Sequence, residues 1–279
     1  MKKKDLLEYL EKNNFRPGKI LGQNFLIDDN LLDFIIKATN PQENENILEV
    51  GPGFGALTRK LLASKANLTA IEFDHRICEY LRDNVKDDNF TLVEGDAVRV
   101  NVAEIYDKNT PFRAIANLPY SISSIFVARM LELENPPADM YFMLQKEMGL
   151  RLSAEYNTKD YGALSIRTQC YYDVKILRIV PPQVFHPAPE VESAIVAFYK
   201  KENALGYEER QLISKITKMV FSQRRKKMIK PLSSLYPKED ILATFKKLDI
   251  REDIRPGALT VTQFIDLARE LEKLRLVKS

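Results

Sequence analysis

The chain has 279 residues, of which 45% are hydrophobic and 29% are charged, and its formal net charge is +3. A globular chain of this length forms one large domain or two smaller ones, and its core needs neither disulfides nor a metal. The two cysteines, Cys78 and Cys170, lie far apart in the sequence, which predicts reduced, buried thiols. Together with His75 and His186 they match no recognised zinc spacing, so we predict no metal site.

The first residues indicate where the protein acts. After Met1–Lys4 the chain becomes amphipathic and partly acidic, with Asp5, Glu8 and Glu11. A signal peptide needs an apolar core and a mitochondrial transit peptide avoids acidic residues, so neither is expected. The sequence also lacks an apolar stretch of the length that spans a membrane. We therefore expect a cytoplasmic protein.

Positive charge is concentrated near the C-terminus. From Lys201 onward there are 18 Lys and Arg against 11 Asp and Glu, whereas the first 200 residues carry 24 against 28. A basic segment on a slightly acidic body suggests contact with a polyanion such as a nucleic acid. A solvated helical surface would give the same pattern, so charge alone leaves both interpretations open.

In chain order, residues of about 5–40 are expected to be helical, with interruptions at Arg16-Pro17-Gly18 and Gly22-Gln23-Asn24. Short apolar runs then alternate with amphipathic segments, which predicts a mostly parallel α/β sheet covered on both faces. The expected strands are 47–50, 68–72, 90–94, 112–116 and 140–144, with helices starting near Leu57 and Ile77 between them. Residues 164–172 and 193–199 are expected to close the sheet as a hairpin.

After Lys201 the strand pattern stops, and helical periodicity covers 208–222, 237–248 and 262–276. The sequence therefore predicts two domains. Residues 1–200 would form an α/β domain, with a helical N-terminal segment over 1–45. Residues 201–279 would form a small all-α domain, whose basic character suggests contact with a polyanion.

A glycine-rich turn, Gly51-Pro52-Gly53-Phe54-Gly55, follows the first expected strand and opens a helix. Glycine lets the backbone turn tightly and approach a ligand. Glu72 ends the next strand, 21 residues after Gly51, where a carboxylate can accept hydrogen bonds from a ribose. The same residues also satisfy a loose dinucleotide fingerprint, Gly51-x-Gly53-x-x-Ala56, and such turns also occur without a nucleotide.

Two further strand ends favour a different cofactor. Asp96 follows the third strand, where it could accept from an adenine amine, and Asn117 follows the fourth. Asp96 could also cap a helix, and capping does not exclude binding. A nucleoside held by Gly51, Gly53, Glu72 and Asp96, with chemistry at Asn117, indicates an S-adenosylmethionine enzyme and not a hydride-transfer enzyme.

The run Asn117-Leu118-Pro119-Tyr120 fits methyl transfer to an aromatic amine. Such an amine is a poor nucleophile because its lone pair is delocalised into the ring. The Asn117 side-chain oxygen and the Leu118 carbonyl can accept hydrogen bonds from its two N–H groups and so localise the lone pair on nitrogen. Pro119 restricts Leu118 to extended conformations, and Tyr120 offers a ring for stacking. Alone, the four residues are better explained as an ordinary strand-ending turn, but the glycine turn, Glu72 and Asp96 that precede them favour the catalytic interpretation.

A second aromatic residue would help to hold a base removed from its stack. Phe185 is the candidate, since prolines stiffen the loop Val184-Phe185-His186-Pro187-Ala188-Pro189. The residue could equally be an ordinary core phenylalanine.

Together these motifs resemble the bacterial small-subunit (16S) rRNA adenine N6,N6-dimethyltransferases, the KsgA family. The resemblance covers nearly the whole chain. It rests on the segments Leu21–Leu26, Leu48–Thr58, Asn117–Tyr120, Val184–Ser193, Phe221–Lys227 and Arg255–Phe264. The segment Phe221–Lys227 resembles the basic C-terminal helix of that family.

The resemblance implies a class I methyltransferase sheet with a helical C-terminal domain. S-adenosyl-L-methionine would methylate N6 of two adjacent adenosines in a hairpin near the 3′ end of small-subunit rRNA, in an immature subunit during ribosome biogenesis. The implied cofactor and RNA-binding positions are Asn24, Leu26, Gly51, Glu72, Asp96 and Asn117, with Tyr120 and Phe185 enclosing the adenine. The basic run Arg224, Arg225, Lys226 and Lys227 would bind RNA. We expect a monomer that needs no metal or membrane.

Three departures from that family concern RNA contacts: Glu190 stands where lysine is frequent, Lys227–Pro231 differs from the usual continuation, and Gly257 replaces a frequent glutamate. The alternatives are a large-subunit rRNA dimethyltransferase of the erythromycin-resistance type, a DNA adenine methyltransferase and a non-catalytic ribosome assembly factor. The basic run favours the small-subunit enzyme over the first alternative. A separate target-recognition domain is not evident, which disfavours the second.

Overall fold

The computed structural model describes residues 3–18 and 22–278, so Leu21 of the N-terminal signature lies outside the described residues. The strands are β1 Phe25–Leu26, β2 Asn46–Val50, β3 Asn67–Glu72, β4 Phe90–Glu94, β5 Arg113–Asn117, β6 Asp139–Gln145, β7 Tyr172–Val180, β8 Phe185–His186 and β9 Ser193–Lys200. The helices are α1 Lys3–Lys12, α2 Asp29–Thr39, α3 Ala56–Leu62, α4 His75–Asn84, α5 Val102–Ile105, α6 Ser123–Glu132, α7 Lys146–Leu152, α8 Ala163–Gln169, α9 Tyr207–Ser222, α10 Ile229–Leu232, α11 Lys238–Lys247 and α12 Val261–Lys278.

Seven strands form one sheet in the order β4-β3-β2-β5-β6-β9-β7. The first five are parallel to one another, and β9 pairs antiparallel with β6. The central strands are buried along nearly their whole length, as expected when helices cover both faces of a parallel sheet. The predicted class I methyltransferase architecture, a mostly parallel seven-stranded sheet, is confirmed.

This topology brings the glycine turn after β2 and the side chains of Glu72, Asp96 and Asn117 to one edge of the sheet. The register aligns Val50 with Ile71, and Glu72 with Glu94, so the parallel strands end level with one another. The residues that follow these ends are those expected from the sequence to bind a ligand. In open α/β sheets, ligands bind outside the carboxyl ends of the strands.

The N-terminal region is not one interrupted helix. Helix α1 ends at Lys12 and α2 begins at Asp29, with the short strand β1 between them. Strand β1 pairs antiparallel with β8, so that Phe25 lies opposite His186 and Leu26 opposite Phe185. This pairing fixes the segment that follows Gln23 beside the carboxyl edge of the sheet.

The expected hairpin of 164–172 with 193–199 is wrong in its first strand. Residues Ala163–Gln169 form α8, and the strand is β7, Tyr172–Val180. The alternation of Leu164, Ile166 and Thr168 resembled a strand, but Ser165 Oγ accepts from the main-chain N–H of Gly162 and starts a helical turn there. Strand β7 lies at the sheet edge, where most of its side chains are solvent-accessible, so its pattern carried little signal.

The chain divides into two compact units. The first contains the residues up to Gly149 together with Lys175–Tyr199, and the second contains Leu150–Val174 and the residues from Lys200 onward. The expected division at residue 200 therefore differs at 150–174, because α8 packs with α9 and α12. The second unit has its own core around Ile216, Phe245 and Phe264.

Along the described part of the chain, no helix combines the length and apolar character needed to cross a membrane.

Candidate active site

A cavity of about 300 Å³ opens at the carboxyl edge of the sheet. Most of its wall comes from three parts of the chain: the glycine-rich turn after β2, the ends of β3, β4 and β5, and the segment Gly22–Leu26. The site residues expected from the sequence line it together: Asn24, Leu26, Gly51, Gly53, Glu72, Asp96, Asn117, Leu118, Pro119 and Tyr120. A cavity of this size is within the range that binds small organic ligands.

Two glycines in the turn are required by their conformation and by close neighbours. Gly51 has φ +67°, and a Cβ there would lie 3.2 Å from Cδ of Pro119. Gly53 has φ +54°, and its Cβ would lie 2.9 Å from the ring of Phe25. A side chain would therefore be strained at either position and would push the turn away from the catalytic run or from β1.

The carboxylate of Glu72 is held by the main chain on two sides. Its Oε1 accepts from the N–H groups of Phe73 and Asp74 at 2.8 and 2.9 Å, and its Oε2 faces the N–H of Gly53 at 3.4 Å. Burial raises the pKa of Glu72, and these three hydrogen bonds oppose that rise. Oε1 already accepts two hydrogen bonds, whereas Oε2 accepts one and keeps a second lone pair, so Glu72 can still accept from a ribose.

Asp96 caps a turn and not a helix. Its Oδ1 accepts from the N–H of Val98 at 3.0 Å, and its Oδ2 lies 3.5 Å from Nε of Arg99. The residues that follow it form a turn before α5 begins at Val102. This side-chain hydrogen bond to the main chain fixes the carboxylate at the cavity wall.

Glu49 was not among the expected site residues, yet it lines the cavity and is 1% exposed. Its Oε2 accepts from Thr58 Oγ1 at 2.8 Å. Burial raises the pKa of Glu49 to about 8, although the Thr58 hydrogen bond opposes this. The side chain is therefore mostly a neutral acid at neutral pH.

The charge of the cavity discriminates between the two cofactor classes. Glu72 and Asp96 line it together with the mostly neutral Glu49, and no Lys, Arg or His is found among its described lining residues. A dinucleotide carries an anionic pyrophosphate, for which such a wall is unfavourable. S-adenosylmethionine carries a sulfonium and an ammonium group, and its ribose and adenine need acceptors of the kind that Glu72 and Asp96 provide. The residues present fit S-adenosylmethionine.

The side chain of Asn117 is oriented by the N-terminal segment. Its Nδ2 donates to the main-chain oxygen of Asn24 at 3.1 Å. Because a carbonyl oxygen can only accept, the NH₂ group must face Asn24, which directs Oδ1 away from it. The main chain of the run is held as well, since the N–H of Leu118 donates to the oxygen of Met143 at 3.2 Å.

Tyr120 is half-buried at the cavity wall, and its hydroxyl lies 2.6 Å from Ser193 Oγ. Burial raises the pKa of Tyr120, and the hydrogen bond to Ser193 opposes this. The phenol is therefore neutral at physiological pH, and the hydrogen bond fixes the position of its hydroxyl end. A ring held in this way is suited to stacking on a base.

The structure does not place Phe185 on the cavity wall with Tyr120. Phe185 lies in β8, is 3% exposed and belongs to the hydrophobic core that contains Phe25 and Leu26. It is absent from the described residues that line the cavity. In this conformation it pairs with Leu26 of β1 and packs in the same core.

The basic run Arg224–Lys227 is not helical, contrary to the expected basic helix. Helix α9 ends at Ser222, and the run lies in the turn that follows. Arg224 donates to the carbonyl oxygens of Lys159 and Thr158 at 2.6 and 2.8 Å, which ties the turn to a neighbouring loop. Its guanidinium is therefore engaged within the second unit.

The other three residues of the run line a basic groove with a volume of about 670 Å³. Its charged residues are Arg225, Lys226, Lys227, Lys230, Arg251, Arg255 and Asp253. Arg251 pairs with Asp253 at 2.7 Å. Of the three departures noted in the sequence, the segment Lys227–Pro231 contributes Lys227 and Lys230 to this groove, while Pro231 is buried in α10. Glu190 is exposed, and Gly257 would place a Cβ 3.9 Å from Arg224.

Several cavity residues escaped the sequence analysis. Phe73 follows Glu72 directly, lines the cavity and is 59% exposed. Its place in the sequence next to an expected ribose acceptor could have indicated that it contacts the ligand. Leu6 of α1 also lines the cavity, and only the tertiary structure brings this helix there. Gln23 was noted as part of a polar loop, with no role assigned.

Comparisons with known proteins show the family of the chain. The family model described as ribosomal RNA adenine dimethylase matches residues 13–273. The chain is 34% identical to ribosomal RNA small subunit methyltransferase A of Clostridium acetobutylicum, over 97% of this chain and 99% of that protein. It is 36% identical to the protein of the same name from Streptococcus sanguinis, over 94% of each chain.

Two solved structures resemble the fold. A dimethyladenosine transferase from Plasmodium falciparum has a TM-score of 0.76 at 25% identity, covering 89% of this chain and 98% of that one. The 23S rRNA methyltransferase ErmE has a TM-score of 0.66 at 23% identity, covering 89% of this chain and all of that one, and supports the fold alone.

The acid-lined cavity, the run Asn117–Tyr120 on its wall and a family match over most of the chain are consistent with one activity. The expected cofactor and reaction are confirmed, and the chain belongs to the ribosomal RNA adenine dimethylases, S-adenosylmethionine-dependent enzymes that dimethylate adenine in rRNA.

Proposed function

We propose that this enzyme dimethylates N6 of two adjacent adenosines in the hairpin near the 3′ end of small-subunit rRNA. The main supporting observation is that Asn117 lines the cavity while its Nδ2 donates to Asn24, which leaves Oδ1 available as an acceptor. Support for the subunit comes from relatives named ribosomal RNA small subunit methyltransferase A, at 34% and 36% identity over almost the whole chain.

In this proposal the cofactor would supply an electrophilic methyl group, and the protein orients the amine that receives it. Each new N–C bond forms as the S–CH₃ bond of the sulfonium breaks, and the amine then releases one proton to solvent. Asn117 Oδ1 and the Leu118 carbonyl accept hydrogen bonds from the two N–H groups of the adenine amine. This localises the nitrogen lone pair towards the methyl group. Pro119 holds Leu118 extended, and the ring of Tyr120 stacks on the base. Asn24, Leu26, Gly51, Gly53, Glu72 and Asp96 bind the cofactor.

Phe185 covers the second face of the adenine in this proposal, which requires it to leave its core position when the base enters. Base removal from an RNA stack costs a few kcal/mol, and a second aromatic face offsets part of that. The β1–β8 pair that holds Phe185 is only two residues long in each strand, so a local rearrangement breaks few hydrogen bonds.

The second unit contacts the RNA backbone through the basic groove. Arg225, Lys226 and Lys227 are joined there by Lys230, Arg251 and Arg255, which the sequence alone did not group with them. Lysine and arginine side chains of this density bind phosphates with little dependence on base sequence. Arg224 shapes the turn through its hydrogen bonds to Thr158 and Lys159.

The enzyme acts in the cytoplasm as a monomer on the immature small subunit. Both cysteines, Cys78 and Cys170, are buried free thiols, which suits a reducing compartment. Recognition of an incomplete subunit is compatible with a role in assembly as well as in catalysis.

The test uses purified protein and S-adenosylmethionine with a labelled methyl group. Immature small subunits from cells that lack the enzyme should accept label at two adjacent adenosines, located by mass spectrometry of rRNA fragments. Large subunits and duplex DNA are the comparison substrates and should remain unlabelled. Transfer confined to large-subunit rRNA would refute the substrate assignment.

A further inference from the structure

Gln23 uses both ends of its side-chain amide. Its Nε2 donates to Asp74 Oδ2 at 2.9 Å, and its Oε1 accepts from the N–H of Gly18 at 2.7 Å. The N–H of Gln23 also faces the oxygen of Gly18 at 3.4 Å. Since an N–H must meet oxygen and a carboxylate must meet NH₂, the orientation of this amide is determined by chemistry.

Asp74 is itself held in place by Arg76. It lies two residues after Glu72 and is 7% exposed. Arg76 donates to it through Nε at 3.0 Å, Nη2 at 2.7 Å and the main-chain N–H at 3.1 Å. Burial opposes ionisation, but the hydrogen bonds from Arg76 and Gln23 prevail and lower the pKa of Asp74. The guanidinium of Arg76 lies 4.1 Å from the ring centre of Phe15, which restricts it further.

Asn24 is therefore held from both sides. Before it, Gln23 is joined to Asp74, and after it, Phe25 and Leu26 pair with β8. Between these two attachments lies the Asn24 carbonyl, the acceptor that orients Asn117. A shift of this carbonyl would release the Asn117 amide to rotate, and a rotated amide would present NH₂ where an acceptor is needed.

We propose that Gln23 and Asp74 are positioning residues for methyl transfer: they fix the Asn24 carbonyl that holds Asn117 Oδ1 towards the adenine amine. This inference rests on the proposed catalytic role of Asn117. Asp74 is not among the described residues of the cavity wall, so its side chain acts through Gln23. Its main chain also donates to Glu72, and that hydrogen bond survives any change of the side chain.

The experiment is a cycle of Gln23→Glu, Asp74→Asn and the double variant. Gln23→Glu places two carboxylates at hydrogen-bond distance, and Asp74→Asn removes the acceptor that Gln23 Nε2 needs. All variants carry Arg76→Leu, because Arg76 Nη2 donates to the same Asp74 Oδ2 that Gln23 uses and would oppose an amide NH₂ there. The main-chain N–H of residue 76 still needs an acceptor, which directs the NH₂ of Asp74→Asn towards position 23. In this background the double variant restores the contact with its polarity reversed, because the carboxylate now at position 23 can accept from the amide now at position 74 and from Gly18. Each single change should lower kcat roughly tenfold, as expected for one hydrogen bond to a charged group. The double variant should recover most of that loss.

Two further measurements separate positioning from damage to the fold. The Kd for S-adenosylmethionine should change much less than kcat in each variant. In protein with ¹⁵N-labelled asparagine, the side-chain NH₂ signal of Asn117, assigned by its absence in Asn117→Ala, should move in both single variants and return in the double variant. Asp88→Asn, at an exposed aspartate with the same change of charge, is the control and should leave all three measurements unchanged.

The positioning role is overturned if the Asn117 NH₂ signal stays in place in both single variants, or if the double variant falls further than either single. Absence of methyl transfer by the unchanged protein on small-subunit rRNA would instead refute the proposed function. In that case the NMR comparison would still decide whether Gln23 and Asp74 orient Asn117.

Discussion

The side-chain Nδ2 of Asn117 donates to the main-chain oxygen of Asn24 at 3.1 Å, across 93 positions in the sequence. This contact joins the segment before β1 to the end of β5, on which the proposed chemistry depends. It leaves Oδ1 as the free acceptor of the amide. Orientation of the acceptor is therefore a property of the tertiary structure and not of the catalytic run alone.

Replacement of Asn117 by alanine should reduce methyl transfer by roughly 10²-fold or more, the usual effect of removing one preorganised electrostatic group. Binding of S-adenosylmethionine, measured by calorimetry, should weaken much less, since Glu72 and Asp96 remain. Asn109→Ala, at an exposed asparagine, serves as the control. An Asn117→Ala enzyme with nearly full activity would show that another group orients the amine.

Tyr120 should act mainly through its ring. Tyr120→Phe and Ser193→Ala each remove one partner of the 2.6 Å contact and should cost only a few-fold in kcat/KM. Tyr120→Ala should cost on the order of tenfold or more, because base–aromatic stacking contributes about 1–3 kcal/mol. Methyl transfer to small-subunit rRNA measures all three. Equal losses in Tyr120→Phe and Tyr120→Ala would assign the effect to the hydroxyl.

Gly53→Ala should weaken S-adenosylmethionine binding and lower the unfolding temperature. The residue has φ +54°, a conformation that costs about 1–2 kcal/mol for residues with a Cβ. Its Cβ would also lie 2.9 Å from the Phe25 ring, so the turn must move. Gly206→Ala is the matched control, because a Cβ there meets nothing within 4 Å. Identical behaviour of the two variants would contradict this account of the turn.

Glu49 should make stability depend on pH. Its ordinary pKa is 4.5 and its folded pKa is about 8. Between these values the folded protein keeps a proton that the unfolded chain releases, so the free energy of unfolding falls as pH rises through this window. Above pH 8 this contribution levels off. Urea unfolding at several pH values should show a weaker decline for Glu49→Gln, whereas parallel curves for the two proteins would exclude Glu49 as the cause.

The basic groove and Arg224 should respond differently to mutation. Lys227→Gln with Arg255→Gln should reduce the salt dependence of RNA binding by a slope of about 1.5–2. Arg224→Gln should mainly lower the unfolding temperature, because it breaks two hydrogen bonds to main-chain oxygens. Lys215→Gln with Lys238→Gln, both exposed lysines of the same unit, is the control pair. A salt slope that the control pair lowers equally would mean that binding depends on total charge and not on the groove.

Much of the site was predictable because its residues follow strands. The glycine turn, Glu72, Asp96 and Asn117 each come directly after an apolar run, and parallel strands place their carboxyl ends at one edge. The same argument failed for α8 and for the basic run. An alternating pattern fits an edge strand and a short packed helix equally well, and charge alone does not reveal whether a turn or a helix carries it.

The sequence by itself determined the sheet, the cofactor class and the reacting group, because strand periodicity and the chemistry of strand-end residues are local properties. Only the tertiary structure decided the orientation of Asn117 by Asn24, the contact of Gln23 with Asp74, the core position of Phe185 and the grouping of Lys227 with Arg251 and Arg255. Each of these joins segments far apart in the chain. Their contacts depend on how helices, loops and strands pack. That packing is set by the free energy of the whole folded chain, which no single segment of sequence determines.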